Sequence, residues 1–324
     1  MKISNDGGSF TMGQLKKKVL MAKRWLRMLS GQSVTAIAQK EGKCYSIEKI
    51  EGYYNDLTGK VSSGTLLDDE GIPITQVSNN EFVHFPIAIF QYGLGCYDLF
   101  LKTQEDVYIK KFQLIANWAV SNIREDGSWD SFSPIKSKLY TVSSMCQGEG
   151  ASLLFRAYKV FDDEKYKTIG FKAVDFMLKD INDGGVAVYK ENELYLEEYP
   201  QTPRLSVLNG WIFSIFGLFD AVKLDEKYKE HFIKTVNSLI STLEEYNTGY
   251  WSYYDLSKRI ASPAYHDLHI ALLNVMYDIT GRIEFKNYSE KFKNYQNKKS
   301  KKIKAILKKA YQKITEKTDA IVVQ

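Results

Sequence analysis

The amino-acid sequence predicts a mainly α-helical protein: an α/α toroid, or incomplete barrel of helical hairpins, preceded by a small β-rich lead-in. Three observations carry that prediction. Eight segments space their apolar residues at three and four, the period of a helix face. Turn glycines followed by an apolar or aromatic residue recur after hairpins, in Asp126-Gly127-Ser128-Trp129, Asp183-Gly184-Gly185-Val186 and Thr248-Gly249-Tyr250-Trp251. These glycines lie 57 and 65 residues apart, a weak internal repeat. Proline is scarce, 6 in 324 residues, so little interrupts long helices. An open α-solenoid would not gather polar and aromatic residues into every second loop.

Taken in order, residues 1–41 read as a basic amphipathic helix, with Leu15, Val19, Ala22, Leu26 and Leu29 on one stripe. Residues 42–85 read as short strands and turns, because Lys43–Ile50 and Val61–Val77 are apolar and Ser/Thr-rich stretches punctuated by Gly52, Gly59, Gly64, Gly71 and Pro73. Residues 86–297 form the toroid. Its helices are expected over Ile87–Lys102, Glu105–Arg124, Thr141–Phe161, Glu164–Asp180, Pro203–Val222, Glu226–Glu245, Ser262–Thr280 and Glu284–Lys293, as four hairpins with extended rim segments near 127, 185 and 250. Residues 298–324 form a second basic helix or tail, striped by Ile303, Ile306, Leu307, Ala310, Tyr311 and Ile314.

Composition narrows the class. With 44% hydrophobic and 26% charged residues the chain is globular, not disordered or collagen-like. The net charge of +5 hides a division: Lys16 to Arg27 carries six basic and no acidic residues, Lys291 to Lys317 carries eleven Lys against Glu316, and residues 28–290 sum to −10. The basic charge sits in terminal helix-like segments and not in a nucleic-acid fold, so nucleic acid is not an expected partner. Each end is read as a solvated face packed on the body by its stripe, or as a dock for an anionic inner membrane leaflet or an acidic partner. Cys44, Cys96 and Cys146 form no CxxC pair and read as reduced cytoplasmic thiols. No apolar stretch with a following cleavage site reads as a signal peptide. The longest uncharged run, Leu205 to Phe219, is too short and polar to span a bilayer.

Four stretches rich in polar, aromatic and glycine residues fall at helix ends: Phe85 to Gly93 with Tyr92, Tyr140 to Gly150, Tyr195 to Gly210, and Tyr250 to His269. Gathered at one rim of a toroid they form an aromatic cleft suited to a carbohydrate; standing alone, each also fits tyrosines capping the core with their hydroxyls in water. Glu197 and Glu198 are candidate acid/base carboxylates, but adjacent residues do not face each other across a bond, so at most one serves there. His266 and His269 share a helix face without a third metal ligand or HExxH pattern. Gln147-Gly148-Glu149-Gly150 does not follow a strand, so it is not a phosphate cradle, and no GxSxG motif or Cys/His dyad appears. No metal and no cofactor are expected.

As an ordered set, certain strings resemble the C-terminal catalytic region of the D-glucuronyl C5-epimerase family over about residues 85–295. They are Met145-Cys146-Gln147-Gly148 with Arg156-Ala157-Tyr158, Tyr195-x-Glu197-Glu198-Tyr199-Pro200-x-Thr202-Pro203, Val207-Leu208-Asn209-Gly210, Tyr254-Asp255-Leu256, and Tyr265-His266-x-x-His269-Ile270. The resemblance implies an α/α toroid that converts D-glucuronate to L-iduronate in heparosan-like chains. It implies catalytic tyrosines at Tyr199, Tyr254 and Tyr265, with Glu198 positioning substrate or tuning the proton. Three departures stand out. Animal members have an Arg three residues after the tyrosine matching Tyr254, where this chain has Ser257, followed by Lys258 and Arg259. Their Gln-Gly-Gln-Ala is Gln147-Gly148-Glu149-Gly150 here, and most of their preceding β-rich region is absent.

Inverting C5 of a uronate removes a proton beside a carboxylate and returns one to the opposite face. The developing enolate needs donors around that carboxylate. A phenol, with pKa near 10, matches so weak a carbon acid better than a carboxylate does, once a nearby cation lowers it. Asn209, His266, His269 and Arg204 are the candidate donors, with Gln147 and Tyr92 as further substrate contacts. A uronate lyase takes the same first step, and a non-catalytic glycan-binding protein of capsule assembly also accounts for the basic ends. The expected partners are an acidic polysaccharide, an anionic membrane or glycan-assembly proteins, and a second copy in a homodimer, with the protein cytoplasmic and peripheral on the inner membrane.

Overall fold

The computed structural model describes residues 39–62, 64–78 and 80–315. The expected N-terminal helix and its stripe, and the last residues of the tail, lie outside the described residues.

All eight expected toroid helices are present. A short α1 (Thr58–Ser62) precedes α2 (Pro86–Thr103), α3 (Asp106–Asn122), α4 (Ser144–Phe161), α5 (Glu164–Met177), α6 (Leu208–Leu224), α7 (Lys229–Thr242), α8 (Pro263–Thr280) and α9 (Ile283–Gln296); α10 (Lys299–Thr315) ends the described chain. They form the expected α/α toroid. Helices α2, α4, α6 and α8 make the inner ring, α4 packing on both α2 and α6, and α6 also on α8. Their sequences have little polar face to show to water: α6 buries every residue from Leu208 to Leu218. The outer helices are amphipathic and bury one stripe each, such as Phe112, Ile115, Ala116 and Ala119 of α3. The tightest crossing, α4 on α6, depends on glycine. A Cβ at Gly148 would lie 2.6 Å from Ser214 Cα, and one at Gly217 would lie 2.4 Å from the Gly148 carbonyl oxygen.

Helix starts follow local chemistry. Ser143 Oγ accepts from Cys146 N, so α4 begins at Ser144 and not at Thr141. Pro86 and Pro263 occupy the first turns of α2 and α8, where a missing N–H costs nothing. The expected Pro203 start of α6 moves to Leu208. The Glu197 carboxylate holds the Ser206 N–H at 2.7 Å, with Ser206 in the left-handed region at φ 42°, so the chain cannot enter a helix before it.

Strands are few. β1 (Thr75–Ser78) and β2 (Glu81–Val83) pair antiparallel in the lead-in, and β3 (Ala187–Lys190) and β4 (Glu193–Leu196) form a hairpin after the glycine turn near 185. Near 250 only isolated bridges form, Asn247 with Ser252 and Tyr253 with Ile260. Gly127 makes a turn without a strand, and Lys43–Ile50 is irregular. Part of the expected strand at Val61–Val77 is helical, because Asp56 Oδ1 accepts from both the N–H and the hydroxyl of Thr58 and starts α1.

The lead-in closes one end of the ring. The Tyr53 N–H donates to Asp98 at 2.9 Å, Tyr54 Oη to Asp220 at 2.6 Å, Arg156 Nε to the Gly52 carbonyl at 2.6 Å, and Tyr45 Oη to Asp278 at 2.7 Å. These four partners lie in the C-terminal thirds of α2, α4, α6 and α8. The N-terminal ends of the inner helices therefore carry the open rim. Arg156 and Asp220 form a fully buried ion pair at 2.5 Å, with Ser152 Oγ donating to the same carboxylate oxygen at 2.6 Å. Asp220→Ala leaves Arg156 charged and unpaired in the core, so urea unfolding should show a loss of about 3–5 kcal/mol. A loss under about 1 kcal/mol would mean that the pair is not what closes this end.

Candidate active site

The open rim is assembled by three connections. The Ser144 N–H donates to the Glu197 carbonyl, tying the start of α4 to the strand exit after β4. The Leu208 N–H donates to the Tyr254 carbonyl at 3.1 Å, and the Leu256 N–H to the Leu205 carbonyl at 2.8 Å, so the turn after Trp251 docks against the start of α6. Tyr246 Oη donates to the Ser206 carbonyl at 2.6 Å. Tyr199, Tyr254 and Tyr265, 66 residues apart at their extremes, meet as a result.

Glu197 and Glu198 have separate tasks. Glu197 is buried, and both its oxygens accept from Ser206, so it holds the loop. Glu198 turns the other way, toward Gly210, where an added Cβ would lie 2.3 Å from Oε2. Burial pushes its carboxyl up to about 7, while the Tyr199 hydroxyl and Arg259 favour its charged form. Its Oε2 has no protein donor.

The three phenols surround this carboxylate. Burial and the charge of Glu198 raise Tyr199 well above the usual phenol, and do the same for Tyr254. Burial lifts Tyr265 to about 12, partly offset by a hydrogen bond with Tyr254. The Tyr254 and Tyr265 rings meet edge to face, centroids 4.9 Å apart, and Tyr199 stacks on Phe132 at 5.2 Å. Tyr265 keeps 41% of its surface open, while its hydroxyl end lies in the buried surroundings that raise it, beside Tyr254 and Glu198. The expectation that a cation lowers these phenols is corrected. Arg259 acts in that direction on Tyr199 and Tyr254, but burial outweighs it.

Arg259 is the site residue that sequence reasoning passed over. It pairs with the buried Asp255 carboxylate and lies 5.4 Å from the Tyr254 ring. The Tyr254 N–H donates to the Arg259 carbonyl at 2.6 Å, and Ser257 Oγ donates to Asp255, so the turn carries Arg259 back beside Tyr254. Ser257 is thereby a prop for Asp255, with the cation two residues later. The i, i+4 spacing of Asp255 and Arg259 was the available signal. Glu149 was also missed as a site group. It is buried, accepts from Gln91 Nε2 at 2.9 Å, and is raised to about 8 by burial, with Lys60 opposing the rise and Glu198 adding to it.

Several expected substrate contacts point elsewhere, and the structure corrects them. Gln147 is fully buried: Nε2 donates to the carbonyls of Gly127 and Ala173, and Oε1 accepts from the Trp129 N–H. It anchors the glycine turn with both amide hydrogens committed, and its full burial keeps it from a sugar. Tyr92 is 2% exposed and sits beside Cys96 in the core. His266 is stacked on Trp251 at 3.7 Å, and Nε2 bonds the Phe292 carbonyl at 3.0 Å. That carbonyl only accepts, so His266 carries its proton on Nε2 and accepts a hydrogen bond from the Ser252 hydroxyl at Nδ1. Ser252 then accepts from His269 Nδ1 at 2.9 Å. Burial lowers His266 to about 3 and His269 well below its usual value, so both are neutral structural groups. His269 is fully buried, with Nε2 unpartnered. Arg204 stacks on Tyr195 at 3.6 Å and donates to Ser206, which places it behind Glu197. Asn209 is as buried as Tyr92, at 3% exposure, but differs in lying in the first turn of α6 beside Gly210 with its Oδ1 unpartnered. No group of three potential metal ligands gathers among the described residues.

The geometry defines an α/α toroid whose rim holds the raised carboxyls of Glu198 and Glu149, with three phenols and a guanidinium beside Glu198. Residues 100–294 match the family model described as the D-glucuronyl C5-epimerase C-terminus, and the chain belongs to that family. A D-glucuronyl C5-epimerase of Caenorhabditis elegans is 33% identical over 190 residues, 50% of this chain and 31% of that protein. An uncharacterized protein of Methanocaldococcus jannaschii is 28% identical over 163 residues, 46% of this chain and 51% of the relative. The chain thus spans about half or less of these relatives. A solved polysaccharide lyase overlays 86% of this chain and 34% of its own at TM-score 0.41 and 15% identity.

Proposed function

We propose that the protein epimerises D-glucuronate to L-iduronate at C5 within a heparosan-like polysaccharide. The observation that carries this reading is the gathering of Tyr199, Tyr254, Tyr265 and Arg259 around the buried Glu198 carboxyl. A phenol whose pKa is raised by burial is a poor free base, but one hydrogen-bonded to a carboxylate need never become a phenolate. As the C5–H bond breaks, the proton passes to the Tyr199 oxygen while the Tyr199 proton passes to Glu198. The electron pair delocalises into the uronate carboxyl group, and the Arg259 guanidinium stabilises the added charge. Tyr265, assisted by Tyr254, donates a proton to the opposite face of C5; to reset the site Glu198 releases the proton it gained and Tyr265 regains one, so the net proton count is unchanged. Asn209 orients the sugar through a hydroxyl that donates to its free Oδ1.

Incubation with heparosan tests this. Iduronate in the product, with solvent deuterium at C5, supports it. Unsaturated uronate with chain cleavage would identify a lyase using the same base, and unchanged polymer would leave a glycan-binding protein.

A further inference from the structure

The C-terminal helix α10 is attached the wrong way round for an ordinary amphipathic helix. The expectation that its apolar stripe packs on the body is corrected for Ile303, Leu307 and Tyr311, while Ile306 and Ala310 are half-buried. Ile303, Leu307 and Tyr311 are 57%, 64% and 60% exposed and follow one another at i, i+4 and i+8 along one face. The opposite face makes the attachment. Ala305 is 2% exposed and packs with Trp251, Ile260 and Ala261. Gln312 Oε1 accepts from the Ile260 N–H at 2.9 Å, and its Nε2 donates to the Lys258 carbonyl at 3.1 Å. Lys301 lies over the Tyr295 ring at 3.9 Å and donates to the Gly249 carbonyl at 3.3 Å. The body thus takes the small and polar side and leaves the oily side outward. Lys299, Lys304 and Lys308, all exposed, lie beside that stripe, Lys304 over the Tyr250 ring at 4.2 Å, and the helix contains no acidic residue.

We infer that α10 is a docking helix for an anionic lipid bilayer, its Ile303–Leu307–Tyr311 stripe entering the headgroup–acyl boundary while the flanking lysines meet lipid phosphates. A bilayer supplies an apolar interior under a negative surface, the two features this face complements. A second copy fits worse, because two such helices meeting by their stripes would bring two lysine-rich edges together. The segment from Leu15 to Leu29 has the same drawback as a partner, since Lys16 to Arg27 carries six basic and no acidic residues. The inference does not depend on the reaction proposed above.

Cosedimentation of the full chain with phosphatidylcholine vesicles, with and without phosphatidylglycerol, at ~0.15 M salt tests it. The protein should pellet with the anionic vesicles only. Ile303→Ser with Leu307→Ser should reduce partitioning by about tenfold or more. Lys299→Gln with Lys308→Gln should reduce it as well. These side chains face solvent, so circular dichroism should show both variants folded. If the serine variant binds as well as the parent, attraction is by charge alone and the docking stripe is refuted. Absence of parent binding refutes it too, as does a parent dimer that the serine variant dissociates while vesicle binding stays absent.

Discussion

Tyr199→Phe should remain folded and lose about 10² to 10⁴ in the rate of C5 epimerisation, the usual worth of a general acid/base group. The substitution removes one oxygen and keeps the stacking on Phe132. In heavy water the parent should place deuterium at C5 of both uronate epimers, since abstraction and return are reversible. If Tyr199 serves one face and Tyr265 the other, each Phe variant should be impaired in interconversion, and a variant that still exchanges C5 on one epimer has lost the group on the other side. Near-normal exchange in both Tyr199→Phe and Tyr265→Phe would remove the phenols from the mechanism whatever the fold.

The second large effect concerns Glu198. Burial, the largest cause, raises its carboxyl to about 7, so the charged form needed to receive the Tyr199 proton grows in as pH rises through that value. The rate for the parent should therefore fall on the acid side of about pH 7. Glu198→Gln keeps the shape, removes the acceptor, and should cost about 10² or more in rate while abolishing that acid limb. The same shift has a sign for stability. A carboxyl whose folded pKa exceeds its unfolded value near 4.5 favours the folded state at low pH and loses that contribution as pH rises from about 4.5 through about 7. Glu198→Gln should accordingly gain stability relative to the parent above about pH 7, measured by thermal unfolding. A variant that is both less stable there and still sensitive to pH near 7 would show that another group carries the limb. Glu149, raised to about 8, is the neighbour to substitute next.

Much of the architecture was legible in the chain because a helix announces itself locally: apolar spacing at three and four needs no knowledge of the partner. The toroid itself was readable from the recurrence of glycine turns and from loops that combine aromatics with carboxylates. The boundaries that shifted did so where a distant group intervened, as with Ser206, held by the Glu197 carboxylate, which delays α6 to Leu208. Among the site residues, Glu198, Tyr199, Tyr254 and Tyr265 were nameable as an ordered set, though nothing in their spacing shows that they converge.

By itself the sequence determined which segments are helical, which loops carry polar and aromatic groups, and that basic residues are concentrated in Lys16 to Arg27 and Lys291 to Lys317. Only the tertiary structure decided which face of each element meets which neighbour. Glu197 and Glu198 are adjacent in sequence, yet one becomes a strut and the other a free acceptor, because successive residues leaving a strand point to opposite sides. Gln147 and His266 turn inward because buried backbone donors and acceptors must be satisfied by whatever side chain is near. Arg259 reaches Tyr254 through a turn stabilised by Asp255. The stripe of α10 faces outward because the body offers that helix backbone carbonyls and a small apolar niche, which Gln312, Lys301 and Ala305 fill better than Leu307 would.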